Sequence, residues 1–428
     1  MKVVIMAGGR GTRIAELFPN IPKPLIPVDG MPILEREIRS LASQGFKDLI
    51  LTVGYLADKI IAYFGNGSQL GVKIDYFVEE TPLGNAGALF QLREKIGDEP
   101  FFLLNADAAF DVDFNRMFDY HKKHGGLVTL FTHPNSHPYD SGLIIADKDG
   151  HVKRWLSKED ERPQWYNNRV NAGLHVIDPK ILELSLKNLE IDSMTGFPRG
   201  KVDLDRQILK PLCGSGKMFC YDSPEYVKDM GTPERFHQVE ADYKNGVVQA
   251  KNLHNKQKAI FLDRDGVINK HVGFLSQIDD FELIEGVSDA IRQINQSGYL
   301  AIVVTNQPVI ARGEVTWEEL QEIHRKMETL LGKDGAYIDG LYICPHHPDR
   351  GFEGERLEYK FDCDCRKPKP GLLLKAARDF NIDLSQSYMI GDSTSDIEAG
   401  KNAGCKQFFL IKSNVPGVLL AQVKSINI

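Results

Sequence analysis

The most informative stretch of the chain is Ala259–Asn269, where an apolar run ends abruptly in Asp263 and Asp265, with Gly266 behind them. A buried parallel strand delivers carboxylates in this way to the carboxyl edge of a sheet, where α/β proteins bind ligands. Two carboxylates held close together can bind Mg²⁺, and one of them can also attack phosphorus. The stretch therefore predicts a site for phosphate chemistry in the second half of the chain.

Three other segments supply matching groups in order along the chain. A second apolar run ends in Thr305 and Asn306, whose hydroxyl and amide can hold a phosphate oxygen, and a third ends in Asp392. Arg366 and Lys367 add cations. Each segment alone could be an ordinary capped strand end. Together, and in this order, they indicate one phosphate-handling site.

These segments resemble the haloacid-dehalogenase-type phosphatases. The resemblance implies that Asp263 is the nucleophile that forms an aspartyl-phosphate, and that Asp265 protonates the leaving alkoxide and then activates water. It implies that Thr305 and Lys367 hold the transferring phosphoryl group. It also implies that Asp263, Asp392 and the main-chain carbonyl of Asp265 bind Mg²⁺. Further contacts are expected from Asn306, Arg312 and Arg366 to the substrate and from Asp396 to the lysine or the metal ligands.

Sulfur and imidazole groups precede the two cations. Cys344, His346, Cys363 and Cys365 form a C-x-H…C-x-C pattern. Three thiolates and one imidazole are a tetrahedral Zn²⁺ ligand set, and a site closed by four protein ligands is structural rather than catalytic. His347 is the alternate imidazole, and a group of buried free thiols is the competing interpretation.

The first half of the chain contains a second set of motifs. Gly8, Gly9 and Gly11 follow the first apolar run directly, and their backbone N–H groups can wrap a polyphosphate closely. Lys23 stands between two prolines, which limit its backbone and aim its ammonium. Taken singly, the glycines could form a plain tight turn, and Lys23 could be a surface lysine in a proline-rich turn.

Two carboxylates of the first half could chelate one Mg²⁺ that carries a triphosphate. Asp107 ends a buried apolar run, and Asp229 precedes the last helical pattern of this half. Either residue by itself could simply cap a helix or a turn.

In combination, residues 1 to about 240 resemble the sugar-1-phosphate nucleotidylyltransferases. The resemblance implies that Lys23 and Arg13 stabilise charge during transfer and that Asp107 and Asp229 bind metal. It implies nucleotide binding by Gly8, Gly9, Gly11, Thr12, Arg13 and Gly84, of which Gly84 lies against the base. It implies sugar contacts from Asn171, Gly173 and Glu161, with Lys158 as the rival of Glu161.

Strand-like runs alternate with amphipathic helical patterns throughout the 428 residues, which predicts parallel sheets and βαβ units. We therefore expect an α/β protein with two doubly wound domains. The first, Rossmann-like and nucleotidyltransferase-like, spans residues 1–243. A linker at 244–257 leads to a haloacid-dehalogenase-like domain at 258–428 that has a zinc loop and no large cap.

Composition excludes some functions. The formal net charge of −7, with scattered Lys and Arg, argues against nucleic-acid binding. No apolar run is long enough to span a bilayer, and the chain shows no signal peptide, so we expect a cytoplasmic protein without a membrane partner. The oligomeric state is left open.

The substrates follow from the two resemblances. The cysteine loop resembles that of the heptose 1,7-bisphosphate phosphatases, although histidinol-phosphate phosphatases share it. Only a heptose bisphosphate would leave a sugar 1-phosphate for the first domain. The resemblance of the first domain to heptose 1-phosphate guanylyltransferases implies GTP as the nucleotide.

Two alternatives stay open. The first domain could serve another sugar, such as mannose 1-phosphate, beside a phosphatase for a different monoester. Alternatively, one domain could be catalytically silent and act as a binding or regulatory module.

Overall fold

The computed structural model describes residues 1–9, 11, 13–351 and 353–426. The chain forms two compact units. The first unit consists of Met1–Thr132, Ile144–Leu156 and Asn171–Gln249, and the second of His133–Leu143, Ser157–Val170 and Ala250–Ile428. The predicted domain ranges follow the order of the sequence alone, whereas the second unit also gathers two short segments from the first half.

The first unit is a mixed α/β structure. Its strands are β1 (Lys2–Ala7), β2 (Pro27–Val28), β3 (Met31–Pro32), β4 (Asp48–Val53), β5 (Lys73–Val78), β6 (Phe101–Asn105), β7 (Ala108–Asp111), β8 (Val128–His133), β9 (Leu143–Ala146), β10 (Val152–Leu156), β11 (Val170–Ile177), β12 (Met218–Asp222) and β13 (Tyr226–Asp229). Its helices are α1 (Ile33–Ser43), α2 (Ala57–Phe64), α3 (Gly87–Gln91), α4 (Arg93–Ile96), α5 (Phe114–His124), α6 (Lys180–Ser185), α7 (Pro233–Lys244) and α8 (Val247–Ala250).

The main sheet of this unit has the order β10-β9-β11-β6-β1-β4-β5, with β8 and β12 attached beside β11. Strand β1 is central and parallel to both β4 and β6. Val3 and Ile5 face one apolar cluster while Val4 faces the other, so β1 is buried on both sides. Such burial explains why its sequence is continuously apolar rather than alternating.

The second unit contains a five-stranded parallel sheet in the order β16-β15-β14-β17-β18. Its strands are β14 (Lys258–Leu262), β15 (Tyr299–Asn306), β16 (Gly340–Cys344), β17 (Tyr388–Gly391) and β18 (Gln407–Leu410). Its helices are α9 (Val287–Asn295), α10 (Trp317–Lys333), α11 (Gly371–Asp379), α12 (Thr394–Ala403) and α13 (Val418–Ile426).

Strand β14 lies between β15 and β17, so the carboxyl ends of these three strands are neighbours. Between β14 and β15 the chain forms only α9 and a single 3₁₀ turn at Ile278–Asp280, which leaves no room for a large cap. The predicted α/β class is therefore confirmed. No helix in the described ranges is both long and apolar enough to cross a membrane.

Candidate active sites and a candidate metal centre

Three carboxylates meet at the carboxyl edge of the second unit's sheet. Asp263 follows β14, Asp392 follows β17, and Asp396 lies in the first turn of α12. One carboxylate oxygen from each lies within 4.8 Å of the others. Gly266, with φ +83°, leaves the space that the Asp392 carboxylate occupies, and a side chain there would collide with it. Hard oxygen ligands at this spacing fit Mg²⁺.

Lys367 reaches into this group from the opposite side. Its Nζ lies 2.6 Å from Oδ1 of Asp263 and 2.6 Å from Oδ1 of Asp396, and it donates to the carbonyl of Val304 at 2.8 Å. The Asn306 amide makes two 3.1 Å hydrogen bonds to the main chain of Lys367. Asn306 thus places the lysine, and its predicted contact with substrate stays a prediction.

The charges of this group are strongly coupled because the side chains are buried. Burial raises the pKa of Asp263 to about 7, although Lys367 acts in the opposite direction. Burial also lowers the pKa of Lys367, but the carboxylates of Asp263 and Asp396 outweigh it and raise that pKa above its ordinary value. A divalent cation would relieve the remaining excess of negative charge.

Asp265 is not one of the three clustered carboxylates. Its carboxylate accepts hydrogen bonds from Arg264 at 2.8 Å, from Asn269 at 2.9 Å and from Gln307 at 2.8 Å. Burial raises the pKa of Asp265, but these donors outweigh it, led by Arg264, and hold that pKa below its ordinary value. The side chain therefore does not join the metal-binding carboxylates. The predicted contribution of its main-chain carbonyl stays a prediction.

Thr305 lies at the same edge, 1% exposed, and its Oγ1 accepts a hydrogen bond from Gln307 Nε2 at 2.9 Å. Gln307 thus contacts both Thr305 and Asp265. The predicted acid–base carboxylate and the predicted phosphate-binding hydroxyl are held by one amide.

The cysteine cluster forms a compact group at the end of β16. Sγ of Cys365 lies 3.3 Å from Sγ of Cys344, 3.3 Å from Sγ of Cys363 and 3.3 Å from Nδ1 of His346. Ligands about 2.3 Å from one tetrahedral zinc lie at comparable separations from each other. The hydrogen bond with Cys344 lowers the pKa of Cys365 to about 5, which favours a thiolate there. The four residues are a group that can hold a metal ion.

His347 takes a different position. Its Nδ1 accepts a hydrogen bond from the main-chain N–H of Asp349 at 3.2 Å, whereas Nδ1 of His346 points at the sulfurs. Arg366 donates to the carbonyl of His346 at 3.1 Å. The cluster is therefore tied directly to the residue that precedes Lys367.

The first unit has a cleft of about 240 Å³ where β1 and β6 end. Lys23 Nζ lies 2.9 Å from Oδ2 of Asp107 at this cleft. A Cβ on Gly11, whose φ is +59°, would lie 3.1 Å from Cβ of Lys23, so the glycine turn packs directly on the lysine. The residues that line the cleft are Met6, Ala7, Gly9, Gly11, Arg13, Lys23, Pro24, Ala106, Asp107 and Gly231.

The β7–β13 ladder brings the two predicted metal ligands of the first unit close together. Asp229 pairs with Ala108, the residue next to Asp107, and the Met230 N–H donates to the carbonyl of Asp107 at 3.2 Å. Oδ1 of Asp229 accepts from the Gly231 N–H at 2.6 Å, and its Oδ2 pairs with Arg235. Asp229 must release Arg235 to bind a metal with both of its oxygens.

Comparison with known proteins bears on both units. The family model for nucleotidyl transferases matches residues 2–246, which is more than half of the chain, and a HAD-hydrolase-like model matches residues 364–417. The D-glycero-beta-D-manno-heptose-1,7-bisphosphate 7-phosphatase of Haemophilus ducreyi is 46% identical over 158 residues, covering 37% of this chain and 84% of that protein. The protein of the same name from Escherichia coli K12 is 42% identical over 158 residues, covering 37% and 81%.

The chain belongs to both the nucleotidyl transferase family and the heptose-bisphosphate phosphatase family. Among solved structures, HddC from Yersinia pseudotuberculosis is 25% identical with a TM-score of 0.47, covering 56% of this chain and 99% of that one. Because the nucleotidyl transferase model matches residues 2–246 and the HAD-hydrolase-like model matches residues 364–417, we call the first unit the transferase unit and the second the phosphatase unit.

The other predicted residues of the transferase unit occupy varied places. Gly173 on β11 has φ +77°, and a Cβ there would lie 2.6 Å from Nδ2 of Asn105, at the end of β6. Asn171 Oδ1 lies 3.2 Å from Nε2 of His175. Gly84, with φ +81°, packs against the main chain of Val202. Gly8 lies at the end of β1, and Thr12 falls outside the described residues.

Two predicted groups stand apart from these clusters. Glu161 and its rival Lys158 are exposed and lie in the segment 157–170, which belongs to the phosphatase unit, so their predicted role in sugar-phosphate binding stays a prediction. Arg312 pairs with Glu314 at 2.5 Å, and its guanidinium lies 4.0 Å from the centre of the Phe274 ring. This stacking fixes the position of the Arg312 guanidinium, and the predicted contact of Arg312 with substrate stays a prediction.

Several residues beside the sites escaped the sequence reasoning. Arg264 is fully buried and donates hydrogen bonds to Asp265. Its place between the two aspartates in the sequence could have indicated that it belongs to the site. Glu37 on α1 is 0% exposed, and neither of its carboxylate oxygens has a hydrogen-bond partner among the described residues. Burial and the nearby charge of Asp107 raise the pKa of Glu37 well above its ordinary value, which favours its neutral form. Nothing in the sequence distinguished it from Glu35, the other glutamate of α1.

Proposed function

We propose that this chain carries out two successive steps of nucleotide-sugar synthesis. The phosphatase unit hydrolyses the 7-phosphate of D-glycero-D-manno-heptose 1,7-bisphosphate, and the transferase unit joins a nucleotide to the heptose 1-phosphate that remains. The observation that carries the proposal is the pairing of a nucleotidyl transferase with a sequence 46% identical to a heptose-bisphosphate 7-phosphatase. The product of one reaction is a sugar 1-phosphate, the substrate class of the other.

The phosphatase step begins when a carboxylate oxygen of Asp263 attacks the phosphorus of the 7-phosphate. The bond from phosphorus to the sugar oxygen breaks, and Asp265 supplies the proton that this oxygen gains. The incoming phosphate dianion repels the negative charge of the Asp265 carboxylate and so favours the protonated form of Asp265. Water then attacks the aspartyl-phosphate, Asp265 takes its proton, and Asp263 is released with inorganic phosphate.

Charge stabilisation in this step comes from Lys367 and Thr305, which we propose contact the transferring phosphoryl group. Mg²⁺ held by Asp263 and Asp392, with Asp396 close by, would neutralise phosphate charge. Zn²⁺ at Cys344, His346, Cys363 and Cys365 would fold the loop that ends at Arg366 and Lys367.

The transfer step needs no covalent intermediate. An oxygen of the sugar 1-phosphate attacks the α-phosphorus of the nucleoside triphosphate, and the bond to the pyrophosphate leaving group breaks. Lys23, 8% exposed at the cleft, is placed to stabilise the added charge. Mg²⁺ at Asp107 and Asp229 would neutralise the triphosphate. We propose GTP as the nucleotide, giving GDP-heptose and pyrophosphate.

The order of the two steps favours heptose over the alternatives. A histidinol phosphatase would yield an amino alcohol, which offers no phosphate for attack on a nucleotide. Both proposed substrates are phosphorylated metabolites, so we propose that the enzyme acts in the cytoplasm on the route to a surface glycan.

Mass spectrometry of products tests this proposal directly. The intact chain is given heptose 1,7-bisphosphate and an equimolar mixture of four nucleoside triphosphates with Mg²⁺. We expect GDP-heptose, inorganic phosphate and pyrophosphate. Lys23→Ala should stop the reaction at heptose 1-phosphate, whereas Asp263→Asn should leave the bisphosphate intact.

Controls assign each product to its unit. Lys122 is exposed on α5 and pairs with Asp119, so Lys122→Ala should behave as the unchanged chain. Phosphate release without any nucleotide sugar, from any of the four nucleotides, would show that the transferase unit is silent toward this sugar.

A further inference from the structure

Arg264 is the largest fully buried side chain among the described residues, and in the sequence it stands between Asp263 and Asp265. Its NH2 donates to both oxygens of Asp265 at 2.8 Å and to Oε1 of Gln307 at 3.0 Å. These contacts face one side of the guanidinium. The other terminal nitrogen, NH1, needs an acceptor of its own, because a buried N–H without one is costly.

His324 on α10 is that acceptor. NH1 of Arg264 lies 2.9 Å from Nε2 of His324, whose side chain is 2% exposed. A guanidinium has donors only, so Nε2 must accept and carries no proton. Burial and the Arg264 cation hold the pKa of His324 well below its ordinary value, which keeps the ring neutral and able to accept.

The imidazole of His324 therefore fixes the plane of the Arg264 guanidinium through NH1. With NH1 held on α10, NH2 is directed at the Asp265 carboxylate. We propose that His324 is a positioning residue for the acid–base carboxylate Asp265, acting through Arg264. This inference rests on the proposed phosphatase reaction, in which Asp265 protonates the leaving oxygen.

A histidine that only packs in the core would occupy the same place in the fold, but its replacement would affect catalysis differently. A misplaced acid slows departure of an alkoxide, which needs a proton, much more than departure of 4-nitrophenolate, which is stable as the anion. A general loss of packing would slow both substrates alike. The dependence on the leaving group therefore separates positioning from structural support.

The test uses the intact chain and three forms of residue 324. His324→Leu removes the acceptor, and His324→Gln restores one, because the glutamine Oε1 can reach the place of Nε2. Each form is assayed with heptose 1,7-bisphosphate and with 4-nitrophenyl phosphate. A placed acid is worth about 10²–10⁴-fold in rate. We expect His324→Leu to lose roughly tenfold or more in kcat/KM for the bisphosphate and less than about threefold for 4-nitrophenyl phosphate, because kcat/KM reports the steps up to departure of the leaving group. His324→Gln should stay close to the unchanged chain for both.

Equal losses for the two substrates, or no rescue by His324→Gln, would overturn the inference. Asp265→Asn separates it from the proposed function. If Asp265→Asn leaves bisphosphate hydrolysis intact, the proposed reaction itself is wrong. If Asp265→Asn abolishes hydrolysis but His324→Leu does not change the leaving-group dependence, only the role of His324 is wrong.

A second measurement covers the case in which His324→Leu does not fold. Nitrogen-15 NMR of the intact chain reports the protonation of each histidine nitrogen, and the signal of His324 among the 12 histidines is the one missing from His324→Gln. An unprotonated Nε2 near neutral pH supports the contact with Arg264. A protonated Nε2 cannot accept from Arg264 and would refute the proposal.

Discussion

The ammonium of Lys367 lies 2.6 Å from Oδ1 of Asp263, and the two side chains are only 2% and 13% exposed. The same ammonium lies 2.6 Å from Asp396, so one cation bridges the predicted nucleophile and a metal-site carboxylate. In the proposed reaction, Lys367 would hold the attacking carboxylate of Asp263 beside the phosphoryl group. The pair therefore serves both charge balance and placement.

Loss of this lysine should remove phosphatase activity selectively. We expect Lys367→Met to lower kcat for heptose 1,7-bisphosphate by roughly 10²–10³-fold, the range for removal of one preorganised charge-stabilising group. Phosphate release is the measurement. Lys369→Met is the matched control, because Lys369 is 39% exposed and pairs with Asp362 at the surface. Comparable losses in both variants would assign the effect to the loop rather than to the Lys367 ammonium.

Magnesium affinity should depend on pH near neutrality. The pKa of Asp263 is raised to about 7, so a proton competes with Mg²⁺ for this carboxylate below that pH and not above it. The Mg²⁺ concentration for half-maximal phosphate release should rise by up to about tenfold for each pH unit below 7 and level off above pH 8. Titrations at pH 6, 7 and 8 check this. A half-saturation that stays constant down to pH 6 would contradict the raised pKa.

The sequence was sufficient to predict which strand ends carry the phosphatase site. Asp263, Thr305 and Asp392 end or follow strands that proved to be adjacent and parallel, and parallel strands bring their carboxyl ends together. The sequence pattern also predicted His346 rather than His347 as the imidazole of the cysteine cluster, and the structure groups His346 with the three cysteines.

Contacts between distant segments could not be predicted. Arg264 and His324 are 60 residues apart and meet only because tertiary packing brings α10 to the residue pair that follows β14. Glu37 reaches the neighbourhood of Lys23 and Asp107 only through the packing of α1. The placement of segment 157–170 in the phosphatase unit likewise depends on tertiary packing, where Tyr166 N–H donates to Oγ1 of Thr329 at 2.8 Å.

The cysteine cluster should hold zinc as a structural ion. We expect about one zinc per chain, and close to none in Cys363→Ser, because three remaining ligands bind much more weakly than four. Thermal unfolding of the phosphatase unit should shift to lower temperature in the same variant. Metal analysis and calorimetry are the measurements. Cys405→Ser is the control, since Cys405 is a buried free thiol outside the cluster and should leave the zinc content unchanged.

Two glycines of the transferase unit allow a matched test of the predicted base-binding loop. Gly84 and Gly97 both have φ +81°, which L side chains rarely adopt, so an alanine at either position adds backbone strain of roughly 1–3 kcal/mol. A Cβ at Gly84 would also lie 2.8 Å from the main-chain N of Val202, whereas a Cβ at Gly97 meets nothing within 4 Å. Val202 main-chain atoms cannot move aside without displacing the segment that pairs with Gly84.

Gly84→Ala should therefore cost roughly 1–3 kcal/mol more free energy of unfolding than Gly97→Ala, since overpacking adds to the shared strain. It should also raise the KM for GTP, because the displaced loop is the one predicted to contact the base. Pyrophosphate release at varied GTP, together with denaturant unfolding of the intact chain, measures both effects. A raised KM in Gly84→Ala alone ties the loop to nucleotide binding. Equal KM values in the two variants would place the base elsewhere.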